Sequence, residues 1–333
     1  MKSNHLTRAT RRELGLSLIE LMVSITIGLI LMIAISSAYM GSSSAGKLAE
    51  AQGRMNEDAA AALSILAQQI RMAGDNPRRP MYAATTPHNA VFSPLGALTY
   101  AVRGCDGKFS DITTAATIND LTCAAGDNTN PDSVAIVYEA DPYNTVAASG
   151  LATDCLGQTL PVVTNSAGSA TPTLVFSGTT TVATAVTYTV ADNRFYIQDD
   201  GTIPSLYCKG NGNATPQPMV ENIEDMQFSW GMAAPLPATD MTVAGYLASA
   251  NLVETNASLL AMPATDSALR WSRAAAVKIC VLVRSEQPVV SDAASAKYSP
   301  CFADPANPLV DAPDLRLRRA YYSVVALRNR IQQ

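Results

Sequence analysis

The chain has 333 residues, of which 48% are hydrophobic and 15% are charged, with a formal net charge of −5. A chain this long and apolar can bury a core, which excludes general disorder. The mild negative charge does not indicate a nucleic-acid-binding protein, which would usually be strongly basic, and it says little else about partners. We expect one large domain with an appendage, or two small domains.

The N-terminal residues combine a basic start with a long apolar run. Four basic residues and one acidic residue precede Gly15, and the residues from Leu16 to Met40 are almost entirely apolar. As a helix this run would be about 37 Å long, which is enough to span a hydrocarbon core of about 30 Å. Because the basic end stays cytoplasmic, the rest of the chain is expected to be exported.

Two features of this run bear on its role. An ordinary secretory signal is shorter and is cut at small residues beyond its apolar core; Ala34–Ala38 (AISSA) imitates such a site, so this alternative stays open. Glu20 interrupts the apolar run. A carboxylate inside a spanning helix costs about 2.5–3.5 kcal/mol, so its presence predicts a function and a partner that neutralises it.

This start of the chain resembles the leader of type IV prepilins and type II secretion pseudopilins. The resemblance lies in the order of basic residues, Gly15, an apolar residue and then Leu18–Val23 (LIELMV). The resemblance implies cleavage between Gly15 and Leu16 by a prepilin peptidase, followed by N-methylation of Leu16. It also implies that Glu20 meets the N-terminal amine of a neighbouring subunit in a filament. Leu16 replaces the phenylalanine commonest at its position, and the helix-breaking proline of many major pilins is missing.

An amphipathic helix is predicted over residues 47–75, where apolar residues recur at helical spacing. Its predicted buried stripe is Met55, Ala59, Ala62, Leu63, Leu66 and Ile70. If this helix is continuous with the apolar run, the two would form one long pilin helix, whose second half packs on a globular head formed by the rest of the chain. The alternative is a membrane helix joined to a separate helix by the flexible link Gly41–Gly46 (GSSSAG).

The remaining sequence predicts β-strands and long loops, because β-branched and aromatic residues alternate with turn residues. The predicted strands are residues 133–139, 173–176, 185–190, 194–198, 226–230, 275–283 and 320–327. A turn is predicted at Asp192 and Asn193, and loops at residues 128–132, 165–172 and 236–264. The predicted fold is α+β and pilin-like, with a long N-terminal helix on an antiparallel sheet.

Cysteines predict disulfides in the head. They are Cys105, Cys123, Cys155, Cys208, Cys280 and Cys301. An even number without a CxxC pair fits disulfides better than zinc, and disulfides require an oxidising compartment such as the periplasm. Of the fifteen connectivities for six cysteines we favour the three sequential pairs; buried free thiols in a cytosolic protein are the alternative.

The distal segments narrow the resemblance to one family. Four segments resemble the PilW family of minor type IV pilins. They are Gly53–Asp75, Val220–Gly231 (VENIEDMQFSWG), Ala276–Ser285 (AVKICVLVRS) and Leu317–Ile331. The resemblance implies a low-abundance structural subunit that primes pilus assembly and sits at or near the tip, often beside a large adhesin. Its partners would be other minor and major pilins and the prepilin peptidase, and it would support motility and adhesion.

This interpretation divides the chain into four parts: a leader over residues 1–15, a membrane or filament-core helix over 16–40, an amphipathic helix over 41–74, and a periplasmic head over 75–333. The precursor would cross the inner membrane once, and the assembled subunit would belong to a pilus. Two alternatives remain: a minor pseudopilin of a type II secretion system, and a tip module that binds DNA or surfaces.

Catalysis finds little support in the sequence. His5 and His88 are its histidines, and no hydrolase, zinc-protease or nucleotide-binding motif is present, so we expect no catalytic residue, cofactor or metal.

Asp192, Asp199 and Asp200 are predicted to be solvated turn carboxylates and not calcium ligands. Two roles are open to the arginines Arg316, Arg318, Arg319, Arg328 and Arg330. We expect their charge to protect an edge strand from pairing with other chains, and we favour this role over contact with DNA. Trp230 and Trp271 are predicted core or interface residues.

Overall fold

The computed structural model describes residues 17–75, 100–124, 130–164, 175–176, 179–180, 187–199, 201, 203–212, 215–234, 240–255, 267–327 and 329. It divides into two compact units, Met1–Glu50 and Ala51–Gln333. Several sequence predictions lie outside the described residues. They concern His5, Gly15, Leu16, His88, Asp200, Arg328 and Arg330, residues 128–129 and 173–174, and the loop 165–172.

A single helix, α1, runs from Leu18 to Met72 and is 55 residues long. The segment Gly41–Gly46 is therefore helical, and the predicted single long helix is confirmed. Ser44 Oγ donates to the Gly41 carbonyl at 3.0 Å, so a hydroxyl in this segment bonds the helix backbone. Gly74 lies just beyond the end of the helix, and its φ of 73° suits a glycine that terminates a helix.

The part of α1 that belongs to the second unit buries one stripe of side chains. The buried residues are Met55, Ala59, Ala62, Leu66, Ala67 and Ile70. The predicted stripe is confirmed with one difference, since Leu63 is only partly buried while Ala67 is buried. The 3.6-residue period of the apolar side chains thus determines which face of α1 meets the head.

The strands and short helices follow in chain order. They are β1 (Val102–Cys105), β2 (Ser133–Glu139), β3 (Val162–Thr164), β4 (Val175–Phe176), β5 (Thr179–Thr180), β6 (Thr187–Gln198), β7 (Ser205–Lys209), β8 (Gln217–Glu221), β9 (Ile223–Ala233), β10 (Val243–Leu247), α2 (Ala250–Thr255), α3 (Ser267–Trp271), β11 (Ala274–Arg284), β12 (Lys297–Tyr298), β13 (Val310–Asp311) and β14 (Arg318–Ala326).

Within the described residues the head has two large antiparallel sheets and two small two-stranded ones, β4-β5 and β12-β13. The first has the order β1-β2-β6-β7-β8, with β3 paired to β6, and the second has the order β10-β9-β11-β14. In the second sheet Val281 of β11 lies opposite Tyr321 of β14 on one side and Met226 of β9 on the other. The predicted α+β fold with antiparallel sheets is therefore confirmed.

Buried residues from both sheets and from α1 make one main core. In β11 the alternating residues Val277, Ile279, Val281 and Val283 are all buried in it, as the period of two along a strand requires. β14 is the last strand of the second sheet and adds Val325, and Leu327 follows it into the same core. β14 and the residue that follows it therefore contribute to the core.

A buried polar group fixes how α1 lies on the first sheet. Asn193 of β6 is fully buried, and its Nδ2 donates to Gln69 Oε1 of α1 at 2.8 Å and to the Tyr138 hydroxyl at 3.2 Å. Its Oδ1 accepts the N–H of Cys155 at 3.1 Å. Because a buried amide must keep such partners, a shift of α1 along the sheet would be penalised.

Two local predictions are wrong. β6 runs without a break through Asp192 and Asn193, which pair with Val137 and Ile136 of β2 instead of forming a turn. The predicted loop 236–264 contains β10 and α2. In both places contacts distant in the chain override the local turn preference of the residues.

The cysteines form three disulfides: Cys105–Cys123, Cys155–Cys208 and Cys280–Cys301. These are the sequential pairs favoured from the sequence. Cys155–Cys208 joins the chain after Leu151 to β7, while Cys280–Cys301 joins β11 to the excursion between β11 and β14. Each disulfide therefore attaches a connecting segment to a strand of the head.

Trp230 and Trp271 pack edge to face, with ring centroids 4.6 Å apart, and both are buried. Their prediction as core residues is confirmed. Gly104 of β1 lies against the same cluster, since a Cβ at this position would be only 2.3 Å from Trp230 Cζ2. Gly104 is therefore required by the close approach of β1 to the indole.

Replacing Gly104 with alanine should lower the free energy of unfolding by about 1–3 kcal/mol, because the buried indole has little room to move. Chemical denaturation of the purified full chain in detergent measures this change. Gly53→Ala is the matched control: Gly53 is in α1 with open space around it, so alanine should stabilise the helix by about 0.5–1 kcal/mol. Equal effects at the two sites would contradict the packing assigned to Gly104.

Candidate assembly site on the N-terminal helix

The first turn of α1 carries the described part of the predicted processing and assembly site. Gly15 and Leu16 are outside the described residues, whereas Ser17 immediately precedes the helix and Glu20 lies in its first turn. The Glu20 N–H donates to Ser17 Oγ at 3.2 Å and to the Ser17 carbonyl at 3.0 Å. Ser17 is therefore the N-cap of α1.

The Glu20 side chain is exposed. In the described part of the chain no side chain or backbone group forms a hydrogen bond or an ion pair with its carboxylate. An acidic residue in the first turn interacts favourably with the positive end of the helix dipole. That interaction is neither a hydrogen bond nor an ion pair, so within the described ranges the carboxylate has no direct partner.

Apolar side chains surround Glu20 on α1 and are also exposed. Leu18 is 78% exposed and Ile19 is 71% exposed, and the exposed apolar residues continue to Met40. Soluble monomers rarely expose so large an apolar surface. In length and composition α1 could cross a membrane, since an 18-residue window of it has a mean hydropathy of 2.6 and none of that window is buried.

Hydroxyl groups in the same segment bond to the helix itself. Ser24 Oγ donates to the Glu20 carbonyl at 2.6 Å, and Thr26 Oγ1 donates to the Val23 carbonyl at 2.9 Å. Such bonds satisfy a hydroxyl without water, which suits apolar surroundings. The Glu20 carboxylate differs from these groups, because among the described residues it has no such bond.

The acidic residues considered for calcium do not form a site in the described residues. Asp192 is buried in β6, where Arg194 Nη2 donates to its Oδ2 at 2.9 Å, so its prediction as a solvated turn carboxylate is wrong. Asp199 is exposed and accepts the N–H of Gly201 at 2.9 Å, as a turn carboxylate does. Within the described ranges, no cluster of three or more His, Cys, Asp or Glu residues is arranged to hold a metal ion.

The arginines near the C-terminus do not act alike. β14 is an edge strand of its sheet and Arg319 is exposed on it. Arg318 is buried and pairs with Glu224 and Asp314, each at 2.6 Å, so edge protection is the wrong explanation for this residue. Burial disfavours its charge, but the hydrogen bonds to Glu224 and Asp314 hold the Arg318 pKa above its ordinary value.

Sequence reasoning missed Ser17. The spacing Ser17-x-x-Glu20 has the form of a capping box, in which a serine N-cap stands three residues before a glutamate. This spacing is the sequence signal that identifies Ser17 as an N-cap.

Comparisons with known families locate two matches. Residues 194–329 match the family model of Type IV Pilus-assembly protein W, and residues 10–36 match that of the Prokaryotic N-terminal methylation motif. The predicted resemblance to the PilW family is confirmed. The PilW region (residues 194–329) contains all four strands of the second sheet, while the motif contains Gly15, Leu16 and Glu20.

The two matches give the chain a pilin-like role in type IV pilus assembly, and the PilW family is a structural family of that apparatus. This context implies interaction with other pilins and with the pilus machinery. The methylation motif and the exposed apolar helix fit membrane anchoring and pilus association. Comparisons with curated proteins and with solved structures found no significant match.

Proposed function

We propose that the chain is a minor pilin that is cut after Gly15, methylated at Leu16 and inserted into a pilus through Glu20. The observation that carries this proposal is the Glu20 carboxylate, which lies exposed among apolar side chains and has no partner in the described residues. It stands in the segment that matches the methylation motif. On this proposal the protein acts as a structural subunit and not as an enzyme.

The amine of a neighbouring subunit is the partner that this chemistry favours. Cleavage after Gly15 creates a new positive charge on Leu16, which is four residues before Glu20 in the chain. If adjacent helices are staggered by about one turn, the amine of one meets the carboxylate of the other. Each charge then neutralises the other in apolar surroundings, where either one alone would be costly.

The same proposal assigns the four parts of the chain. Residues 1–15 are the leader, Leu16 to Met40 cross the inner membrane and later pack in the filament core, and residues 41–74 carry the head, which is formed by residues 75–333. The basic residues before Gly15 favour a cytoplasmic leader. The three disulfides favour a head in the oxidising periplasm.

As a minor pilin the chain would prime pilus assembly or cap the pilus near its tip, and so support twitching motility and adhesion. Its partners would be other minor and major pilins through α1, the prepilin peptidase, and a large tip adhesin. The PilW match favours this role over that of a pseudopilin. Loss of twitching with intact type II secretion, on deletion of the gene, is the expected phenotype.

Replacing Gly15 with leucine should block processing, because a peptidase that accepts glycine on the carboxyl side of the cut has little space there for a branched side chain. Mass spectrometry of the membrane protein should find wild type starting at methylated Leu16 and the variant uncut. Gly28→Leu, at an open position of α1, should be cut normally. Normal processing of the Gly15 variant, or wild type cut near Ala38, would refute the assigned leader.

A further inference from the structure

We propose that residues 141–151, the Tyr143 loop, dock on the head of a different pilin subunit, in an apolar pocket with lysine or arginine on its rim. The inference rests on the proposed function, which supplies the class of partner, and it adds a contact made by the head to those made by α1. The loop connects the end of β2 to Cys155, whose disulfide with Cys208 attaches the chain to β7.

The Tyr143 loop exposes several large apolar side chains. Tyr143 is 96% exposed, Val146 is 81% exposed and Leu151 is 50% exposed. The exposed fraction of Tyr143 is larger than that of any large apolar side chain between Leu18 and Met40. Single exposed apolar residues are ordinary on a protein surface, but a group of them in one short loop indicates an interaction surface.

Side-chain hydrogen bonds hold the backbone at Tyr143. Asp141 Oδ1 accepts the N–H groups of Tyr143 and Asn144, each at 2.7 Å, while Asn144 Oδ1 accepts the Asp141 N–H at 2.7 Å. Asn144 Nδ2 also donates to the carbonyl of Glu139, the last residue of β2, at 2.8 Å. The turn is therefore formed before any partner binds. On binding, the tyrosine would lose little conformational freedom beyond its own two side-chain rotations.

A second turn closes the loop. Ala148 and Leu151 exchange backbone hydrogen bonds of 3.1 and 3.0 Å, and the two residues between them, Ser149 and Gly150, have φ angles of 53° and 77°. Positive φ at both central residues is the type I′ turn of a tight hairpin. A serine rarely adopts this conformation, and such backbone strain is found preferentially at binding sites.

The position of the loop indicates which neighbour it can meet. The Gly74 N–H donates to the Val137 carbonyl at 2.9 Å and the Glu139 N–H donates to the Asp75 carbonyl at 2.8 Å, so the end of β2 is attached to the residues that follow α1. The apolar segment assigned to the membrane is at the other end of α1. Because a pilus grows from the membrane, we expect the Tyr143 loop to face subunits that were inserted earlier.

Charge around the loop selects the chemistry of that partner. Asp75 and Asp141 are partly exposed beside Tyr143, and the chain has no lysine or arginine from residue 139 to residue 154. Two copies of this loop would bring these carboxylates together, and an anionic membrane surface would repel them. A pocket with a basic rim would instead attract them. An apolar pocket also suits the tyrosine, since tyrosines seated in pockets contribute much of the binding energy of interfaces.

Photocrosslinking of the full chain in pilus-forming cells identifies the partner. With the photoreactive residue p-benzoylphenylalanine in place of Tyr143, irradiation should crosslink the chain to a different protein made with a prepilin leader, close to a lysine or arginine of that protein. Leu309 is the matched control position, because it is 57% exposed between β12 and β13, and it should give less than about a tenth of this product. Crosslinks confined to lipid, to a second copy of this chain or to a protein made without that leader would overturn the proposal.

Substitutions in the same cells measure the contribution of the loop. The ratio of filament-incorporated to processed protein should fall about tenfold in Tyr143→Ser/Val146→Ser, as expected for the loss of interface anchors. Asp141→Asn keeps an acceptor oxygen for the turn but removes the charge, and should reduce the ratio about threefold. Leu309→Ser should leave it unchanged. All these variants should unfold at the wild-type denaturant concentration in detergent, since the changes are at the surface.

These results distinguish failure of the docking role from failure of the proposed function. If Tyr143→Ser/Val146→Ser is incorporated like wild type while Glu20→Ala is not, the docking role is refuted and the minor-pilin proposal stands. If the wild-type chain is neither cut after Gly15 nor found in filaments, the proposed function fails, and the partner assigned to the Tyr143 loop fails with it.

Discussion

The Glu20→Ala variant is expected to be cut and methylated like wild type but to be incorporated into filaments at least tenfold less. Alanine removes the partner of the neighbouring amine, which would then remain as an unpaired charge in apolar surroundings; loss of one member of such a pair costs about 3–5 kcal/mol. Quantitative immunoblotting of sheared filaments and of membranes measures the incorporated fraction.

Two variants calibrate this result. Glu57→Ala removes another exposed carboxylate of α1, one that lies in the second unit, and should leave incorporation unchanged. Glu20→Asp keeps the charge on a shorter side chain and should retain part of the incorporation. A membrane pool that is depleted along with the filament pool would point to instability of the variant and would count against a specific assembly defect.

Removal of the Cys155–Cys208 disulfide should be the most destabilising single change in the head. These cysteines are 53 residues apart in the chain, and chain entropy predicts a loss of about 4 kcal/mol when a loop of this length is opened. Cys155 also donates its N–H to the buried Asn193, so the loss should extend to the contact with α1. Denaturant unfolding of the full Cys155→Ala/Cys208→Ala chain in detergent measures the change.

The Cys280–Cys301 disulfide is the matched comparison. It closes a shorter loop, with a separation of 21 residues, and chain entropy predicts a loss of about 3 kcal/mol when it is removed. Removal of both disulfides should give losses that add, since they belong to different sheets. A larger loss for the shorter loop would show that loop length does not govern the stability of this head.

The sequence allowed good prediction of features that depend on periodic apolar residues or on a local motif. The buried face of α1 was found from Met55 to Ile70 because a 3.6-residue period is a property of the helix itself. β2 was predicted with its true ends, since its residues are β-branched or aromatic and turn residues flank them. The leader motif around Gly15 was also found from the sequence, because the residues that define the motif are close together in the chain.

Features that depend on distant contacts were missed. Asp192 resembles a turn residue, yet Arg194 and the pairing with β2 hold it inside β6. The short helix α2 begins where Asp106 accepts the N–H groups of Ala250 and Asn251 at 2.6 and 2.9 Å. That cap comes from a residue well over a hundred positions earlier, and it adds to the local cap in which Ser249 Oγ accepts the Leu252 N–H at 3.2 Å.

The position of β14 in the second sheet has a consequence for how the protein is made. β14 follows β11 in the chain only after a long excursion, yet it pairs with β11 from Ala276 to Arg284, and Val325 and Leu327 fill the core beside it. A nascent or truncated chain that lacks these residues has β11 as a bare sheet edge next to an incomplete core, which favours aggregation. The head therefore cannot be completed until translation has passed Leu327.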